Sequence, residues 1–227
     1  MLWYAAQCPF HSSIHGNLIH GNLSTMLLWL ALHAAVTAAY LSPTGNRPAP
    51  WGTVLGVTNG VKVYSNYKAK VHNGDNYYQG TYTGLKWQCV ELARRYLLIT
   101  HGVVFESVVD AVEIFNLRSV KNVINQDRLP LNVYPQGSST PPQVGSLLIW
   151  DRQGVNSPHG HVAVIVNVQN TYIDIAEENF EDTVWPPSAN YSRRISVSRT
   201  PAAFNVKPYY NQYKASENVL GWVTFSP

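Results

Sequence analysis

The chain has 227 residues, of which 45% are hydrophobic; that suffices for one domain of ordinary size with its own core and gives no reason to expect a second. Its formal net charge of +3 is mild, and Lys and Arg stand singly or in pairs, so nucleic-acid binding is not expected. Neither a GxxxxGK[ST] nor a GxGxxG loop occurs, which removes the sequence basis for a nucleotide cofactor.

Charge is unevenly distributed along the chain. Met1 through Asn46 contain no Asp, Glu, Lys or Arg, and ordinary globular composition begins near Arg47. Within this leader, residues 26–38 form an apolar run ending in Val36-Thr37-Ala38, small or compact residues of the kind a signal peptidase reads. The run is shorter than the roughly 20 residues a spanning helix needs. No Lys or Arg precedes it, the upstream segment repeats His-Gly-Asn-Leu at 15–18 and 20–23, and Met26 is an alternative start. We read residues 1–50 as a leader with a signal-peptide-like segment and a Pro-rich linker from Pro43 to Pro50, and residues 51–227 as the folded domain. The expected location is secreted or the endomembrane lumen, without stable membrane association once the leader is cleaved. A membrane anchor or an untargeted leader on a cytoplasmic protein are the alternatives.

Tyr64 to Gly84 is rich in Tyr, Asn and Gly with little periodicity and is expected to be a surface loop. A helix follows from about Lys86 to Thr100, with Val90, Ala93 and Leu97 facing inward, Arg94 and Arg95 on a solvated face or in a salt bridge, and Gly102 just past its end. Cys89 sits at its start. Unpaired N–H groups at a helix N-terminus stabilise a thiolate over a thiol, so this is where a nucleophile would be placed, with Gln88 beside it to help hold an oxyanion. A lone cysteine can also be an apolar core residue. The only other cysteine is Cys8, in the leader, so cleavage would leave a single thiol and no disulfide. Ser107 with Asp110 three residues on reads as the cap of a second helix through Phe115 and Leu117. Short strands are expected at 131–134, 146–150, 161–168, 171–177, 194–198 and 220–225, an α+β order with helices preceding an antiparallel sheet.

His161 through Val168 and Thr171 through Glu177 form a hairpin about Gln169-Asn170. Positions 161 and 177 are symmetric about residue 169, so His161 and Glu177 are expected to be cross-strand neighbours on one face, about 5 Å apart at Cβ. That spacing lets a carboxylate orient an imidazole. His159-Gly160-His161 resembles a metal clamp with Glu177 or Glu178 as a third ligand, but Val162, Ala163, Val164 and Ile165 follow and the nearby Glu of such sites is missing. No metal is expected.

These residues resemble a known family. Lys86-Trp87-Gln88-Cys89-Val90-Glu91 with Ala93-Arg94-Arg95, then Leu147-Leu148-Ile149-Trp150-Asp151, Gly160-His161-Val162-Ala163 and Ile175-Ala176-Glu177 look like a CHAP-type amidase domain of the kind found in glutathionylspermidine synthetase/amidase. The likeness runs from about Trp51 to the end and implies a papain-like, NlpC/P60-related fold with helices packed on an antiparallel sheet. It implies Cys89 as nucleophile, His161 as base and then acid, Glu177 as the residue orienting the imidazole, and Gln88 with the Cys89 N–H as oxyanion donors. It also places Arg94 near the active site, where it would bind a substrate carboxylate, while Asn179 would add a polar contact.

The bifunctional members continue into a large ATP-dependent ligase domain for which these 227 residues have no room, so hydrolysis or transfer is expected rather than ligation. The substrate is a small-molecule or peptide amide. One candidate is a glutathione–polyamine amide, whose cationic leaving group would be guided by Asp151 and Glu178, or by Asp75, Glu181 and Asp182. The other is a cell-wall peptide, which suits a secreted protein. A catalytically silent binding module is a third reading, weakened because every expected catalytic position is filled.

Overall fold

The computed structural model describes residues 48–67, 74–207 and 217–226; the apolar run at 26–38 lies outside them. Two hairpins precede the helix. β1 (Val54–Thr58) pairs antiparallel with β2 (Val61–Tyr64), and β3 (Asp75–Tyr78) with β4 (Thr81–Leu85). Each turns on a residue pair with positive φ, Asn59-Gly60 and Gln79-Gly80, the conformation of a two-residue turn that matches strand twist. The surface loop expected over Tyr64–Gly84 is therefore corrected. β2 ends at Tyr64, and the second hairpin occupies Asp75–Leu85.

α1 (Cys89–His101) begins after a tight turn in which the Gln88 N–H donates to the Leu85 carbonyl. It ends at Gly102, whose left-handed conformation returns its N–H to the carbonyls of Leu97 and Leu98. Leu92, Ala93, Tyr96 and Leu97 are buried as an apolar stripe, but so are Glu91, Arg94 and Arg95; of the two expectations for the arginines the solvated face fails, and the salt bridge holds for Arg95, which pairs with Glu91. The reason is tertiary: the sheet covers one side of α1, and β2 and β4 pack against it as well. β4 approaches so closely that a Cβ on Gly84 would meet the Glu91 Cα at 3.1 Å.

β5 (Val103–Phe105) follows, then a 3-10 turn at Ala111–Asn116 in place of the expected second α-helix. Its cap is Asp110 rather than Ser107, with the Glu113 carboxylate accepting the Asp110 N–H at 3.1 Å. The remaining strands are β6 (Ser119–Asn122), β7 (Arg128–Pro135), β8 (Leu147–Trp150), β9 (His161–Val168), β10 (Tyr172–Ala176), β11 (Arg193–Arg199), β12 (Phe204–Val206) and β13 (Val219–Phe225). Together with β5 they form an antiparallel nine-stranded sheet in the order β12-β11-β10-β9-β8-β13-β7-β6-β5.

β8 and β9 read as continuous apolar runs because both faces of the sheet are buried. Leu147, Ile149, Val162 and Val164 join the core that includes α1, whereas Leu148, Trp150, Ala163 and Ile165 join a second core with Ile173, Ile175, Phe204 and Trp222. An α+β architecture with antiparallel sheets results. β9 carries one extra residue against β10: Asp174 faces Asn167, while Ile175 faces Ile165.

Candidate active site

Cys89 opens α1 and is 8% exposed. The first backbone bond of the helix runs from the Leu92 N–H to the Gln88 carbonyl, so the N–H of Cys89 has no partner within the helix. His161 opens β9, and Cys89 stands near enough to its imidazole to favour the protonated ring. Its Nε2 lies 2.9 Å from Glu177 Oε2, which leaves Nδ1 as the atom that meets the thiol. Nucleophile, imidazole and carboxylate are thus consecutive in space, all buried, on the start of a helix, the start of one strand and the residue after the end of the next.

The predicted neighbour relation of His161 and Glu177 holds, but by a different register. Near the site Ala176 faces Val164 and Ile175 faces Ile165, so Glu177 lies diagonal to His161 rather than directly opposite. Both still project to one side, because the extra residue in β9 restores an even register.

Glu177 is held from the far side by Arg193, whose Nε donates to Oε1 at 2.6 Å and whose Nη2 donates to Oε2 at 3.0 Å. Arg193 Nη1 donates to Glu217 at 3.0 Å, and the guanidinium lies 3.9 Å from the Phe180 ring centroid. The imidazole is flanked by Trp150 at 5.3 Å and Phe180 at 5.5 Å between ring centroids. Sequence reasoning missed Arg193, Glu217 and Phe180. The signal was available for one of them: Arg193 shares the inward parity of Ile195 and Val197 on β11, an unusual place for a cation.

Burial opposes a charge on both partners. It would depress the imidazole, but the hydrogen bonds to Cys89 and Glu177 and the charges on both raise the His161 pKa to about 9. For Glu177 burial acts upward, and the Arg193 charge together with His161 outweighs it, lowering the carboxyl to about 2. The arrangement favours an imidazolium held between an anionic carboxylate and a sulfur that can carry negative charge.

Gln88 is the N-cap of α1, yet its side chain does not cap the helix. Its Oε1 accepts from Asn179 Nδ2 at 2.7 Å. With the oxygen occupied, the Gln88 amide NH₂ is turned away from Asn179 and is free to donate. Asn179 holds this place in a left-handed conformation, φ 59°, two residues after Glu177. The Trp87 carbonyl, one residue earlier, accepts from Asn66 Nδ2 at 2.9 Å, which fixes the turn that presents Gln88 and Cys89.

The other expected substrate contacts fall elsewhere. Arg94 is 6% exposed, and its guanidinium donates to the carbonyls of Phe105 and Tyr82 between the Tyr82 and Phe105 rings. Glu178 is 1% exposed and paired with Arg95 Nη2 at 2.9 Å, so it is turned into the core instead of meeting a solvated amine. Asp182 is also buried, accepting from the Ser65 hydroxyl at 2.9 Å and the Asn66 N–H at 2.8 Å. Asp75 and Glu181 are exposed. Asp151 is half-buried in the loop after β8, accepting from the Arg152 N–H at 2.7 Å and Gln153 at 3.0 Å. His159 meets Asp110 at 2.6 Å. Among the described residues no cluster of three or more His, Cys, Asp or Glu could hold a metal ion, and no helix is long and apolar enough to cross a membrane.

Known proteins resemble this sequence in part. The family described as CHAP domain matches residues 77–179. The bifunctional glutathionylspermidine synthetase/amidase of Escherichia coli strain K12 is 35% identical over 189 residues, covering 79% of this chain and 30% of the relative. Trypanothione synthetase of Crithidia fasciculata is 32% identical over 184 residues, covering 79% of this chain and 28% of the relative. Glutathionylspermidine synthase of the same organism is 33% identical over 144 residues, covering 62% and 19%. The chain therefore spans less than a third of the length of these relatives.

Proposed function

With residues 77–179 a CHAP domain, homologous to the amidase part of glutathionylspermidine synthetase/amidase and so of cysteine amidohydrolase type, we propose that Cys89, His161 and Glu177 hydrolyse an amide bond of the glutathione–polyamine kind. One observation carries the reading: the helix-start thiol of Cys89, the His161 imidazole that it influences and Glu177, 2.9 Å from that imidazole, are buried together.

The chemistry follows from the geometry. The Cys89 sulfur, as thiolate, attacks the amide carbonyl carbon, and the carbonyl oxygen becomes an oxyanion. The Cys89 N–H and the Gln88 amide donate to it. His161, cationic between sulfur and carboxylate, gives its Nδ1 proton to the leaving nitrogen; the C–N bond breaks and the amine departs, leaving a thioester. Neutral His161 then takes a proton from water, the hydroxide attacks the thioester, and the acid and the Cys89 thiolate are released with His161 again protonated. Glu177 keeps Nε2–H fixed and stabilises the cation throughout. Arg193 keeps that carboxylate ionised and in place.

The named activities of the relatives support the glutathione–polyamine substrate. Of the acids expected to guide a cationic amine, Asp75 and Glu181 stay exposed and Asp151 stays half-buried, and these are the ones retained in the proposal. Incubation of the purified protein with glutathionylspermidine is expected to release glutathione and spermidine. Turnover of purified peptidoglycan with no turnover of glutathionylspermidine would replace this reading with that of a cell-wall amidase. The apolar run at 26–38 supports export, and expression with the leader intact should then give a product beginning at Ala39 or Tyr40; recovery of full-length protein in the cytosol would overturn export.

A further inference from the structure

Directly behind the relay lies a second set of buried charges that the chemistry above does not use. Glu91, two residues after Cys89 on α1, is fully buried, and Glu178, the residue after Glu177, is 1% exposed. Between them stands one cation. Arg95 Nε donates to Glu91 Oε1 at 2.9 Å and Nη2 to Oε2 at 3.1 Å, while the same Nη2 donates to Glu178 Oε1 at 2.9 Å. Glu178 Oε1 also accepts the Tyr64 N–H at 2.8 Å. Glu91 Oε1 further accepts from Asn76 at 2.8 Å and from the Thr83 hydroxyl at 2.7 Å.

The donors are therefore spent on three of the four carboxylate oxygens. Glu178 Oε2 is buried and, among the described residues, meets no donor. Two carboxylates facing one guanidinium leave one uncompensated negative charge away from water, which is costly. A bare carboxylate oxygen without a donor adds to the cost. A proton on Oε2 removes both problems, because it neutralises the excess charge and converts the orphan acceptor into a donor beside Glu91, which shares Arg95 Nη2 with Glu178.

We propose that Glu178 is a neutral carboxylic acid sharing its proton with Glu91, and that this bond staples the nucleophile helix to the residue adjoining Glu177, setting the distance between Cys89 and its relay. Glu178 is thus a positioning residue. The groups facing it are Glu91 and Arg95 from α1 and, from β2, Tyr64, whose ring lies under the Arg95 guanidinium at 5.3 Å; the Lys62 carbonyl accepts from Arg95 Nη1 at 2.6 Å. Burial and the Glu91 charge both push the Glu178 carboxyl well above the usual range, against the pull of Arg95. Ionisation at alkaline pH would set two like charges against each other across the staple and loosen the spacing of the relay.

The test uses the whole chain and needs no substrate. Infrared difference spectra of wild type against Glu178→Gln at pH 7 should show a protonated carboxyl band present only in wild type. Glutamine keeps the Oε1 acceptor and supplies an N–H where the acid has its proton. The rate of Cys89 alkylation by iodoacetamide at pH 7 should therefore stay within about twofold of wild type in Glu178→Gln and fall well below it in Glu178→Ala. Melting temperature should follow the same order, with Glu178→Ala lower by several degrees. From the usual carboxyl value of 4.5 upward the stability of wild type should decline more steeply with pH than that of Glu178→Gln, since the folded chain keeps a proton that the unfolded chain has released. Absence of the band, or a glutamine variant as damaged as the alanine one at pH 7, would mean that Glu178 is an ordinary anionic partner of Arg95 and would overturn the proposal. Neither result depends on the identity of the amide substrate.

Discussion

Arg193 grips the carboxylate that orients His161: its Nε lies 2.6 Å from Glu177 Oε1, and its Nη2 lies 3.0 Å from the Oε2 that also meets the imidazole. Truncating either end of so buried a pair leaves the other charge unpaired. Arg193→Ala is expected to cost about 3–5 kcal/mol in a urea titration, because Glu177 and Glu217 would then be buried without their cation. A loss below about 1 kcal/mol, the range of exposed pairs, would show that water reaches the site.

Removing members of the relay should separate their roles. Cys89→Ala is expected to abolish hydrolysis of glutathionylspermidine, and His161→Ala to lower kcat by about 10²-fold to 10⁴-fold or more. Glu177→Gln keeps the shape but loses the charge that stabilises imidazolium, so it should retain more activity than His161→Ala. Steady-state rates of the three purified variants provide the check, and hydrolysis by Cys89→Ala would remove the mechanism.

The two opposite pKa shifts set a pH window. His161 is raised to about 9, so its contribution to stability is complete below its usual 6.5 and is lost as pH climbs from there towards about 9. Glu177 is lowered to about 2, so its contribution is complete above its usual 4.5 and is lost as pH falls towards about 2. Melting temperature should fall off on both sides, and His161→Gln should flatten the alkaline side. Over the same window iodoacetamide should modify Cys89 at pH 6 much faster than it modifies free cysteine, as expected for a sulfur beside imidazolium.

Asn179 should matter through Gln88. Its amide occupies Gln88 Oε1, which fixes the direction of the Gln88 NH₂. Asn179→Ala frees that rotation and is expected to lower kcat about tenfold, a fraction of what loss of an oxyanion donor costs, with KM little changed. An effect confined to KM would instead assign Asn179 to substrate binding.

Much of this site could be read from local pattern. The hairpin of β9 and β10, and the meeting of His161 with Glu177, follow from period-two alternation about a short turn. The helix that carries Cys89 follows from helical periodicity closed by Gly102, although it opens at Cys89 and not at Lys86. What escaped reading is non-local. Arg94 and Arg95 are polar by composition and buried because two hairpins cover the outer side of α1, a packing that no window around residue 94 reveals. Those hairpins carried a turn signal in Asn59-Gly60, but the Tyr- and Asn-rich segment after β2 masked the second one. Arg193 and Glu217 lie 16 and 40 residues after Glu177 and reach it only through the strand order.

The surplus residue of β9 has a consequence for the two successive acids at 177 and 178. Were Val166 paired in the ladder instead of standing surplus to it, the odd register of Asp174 with Asn167 would continue to the end of the hairpin, and the side presented to His161 would belong to Glu178. The same dipeptide would then offer its other carboxylate to the imidazole and turn Glu177 towards Arg95. Identity in this pair is assigned by counting along the neighbouring strand, since the two side chains are chemically alike. A one-place slip of that strand would exchange their occupations while leaving every catalytic residue type in the chain.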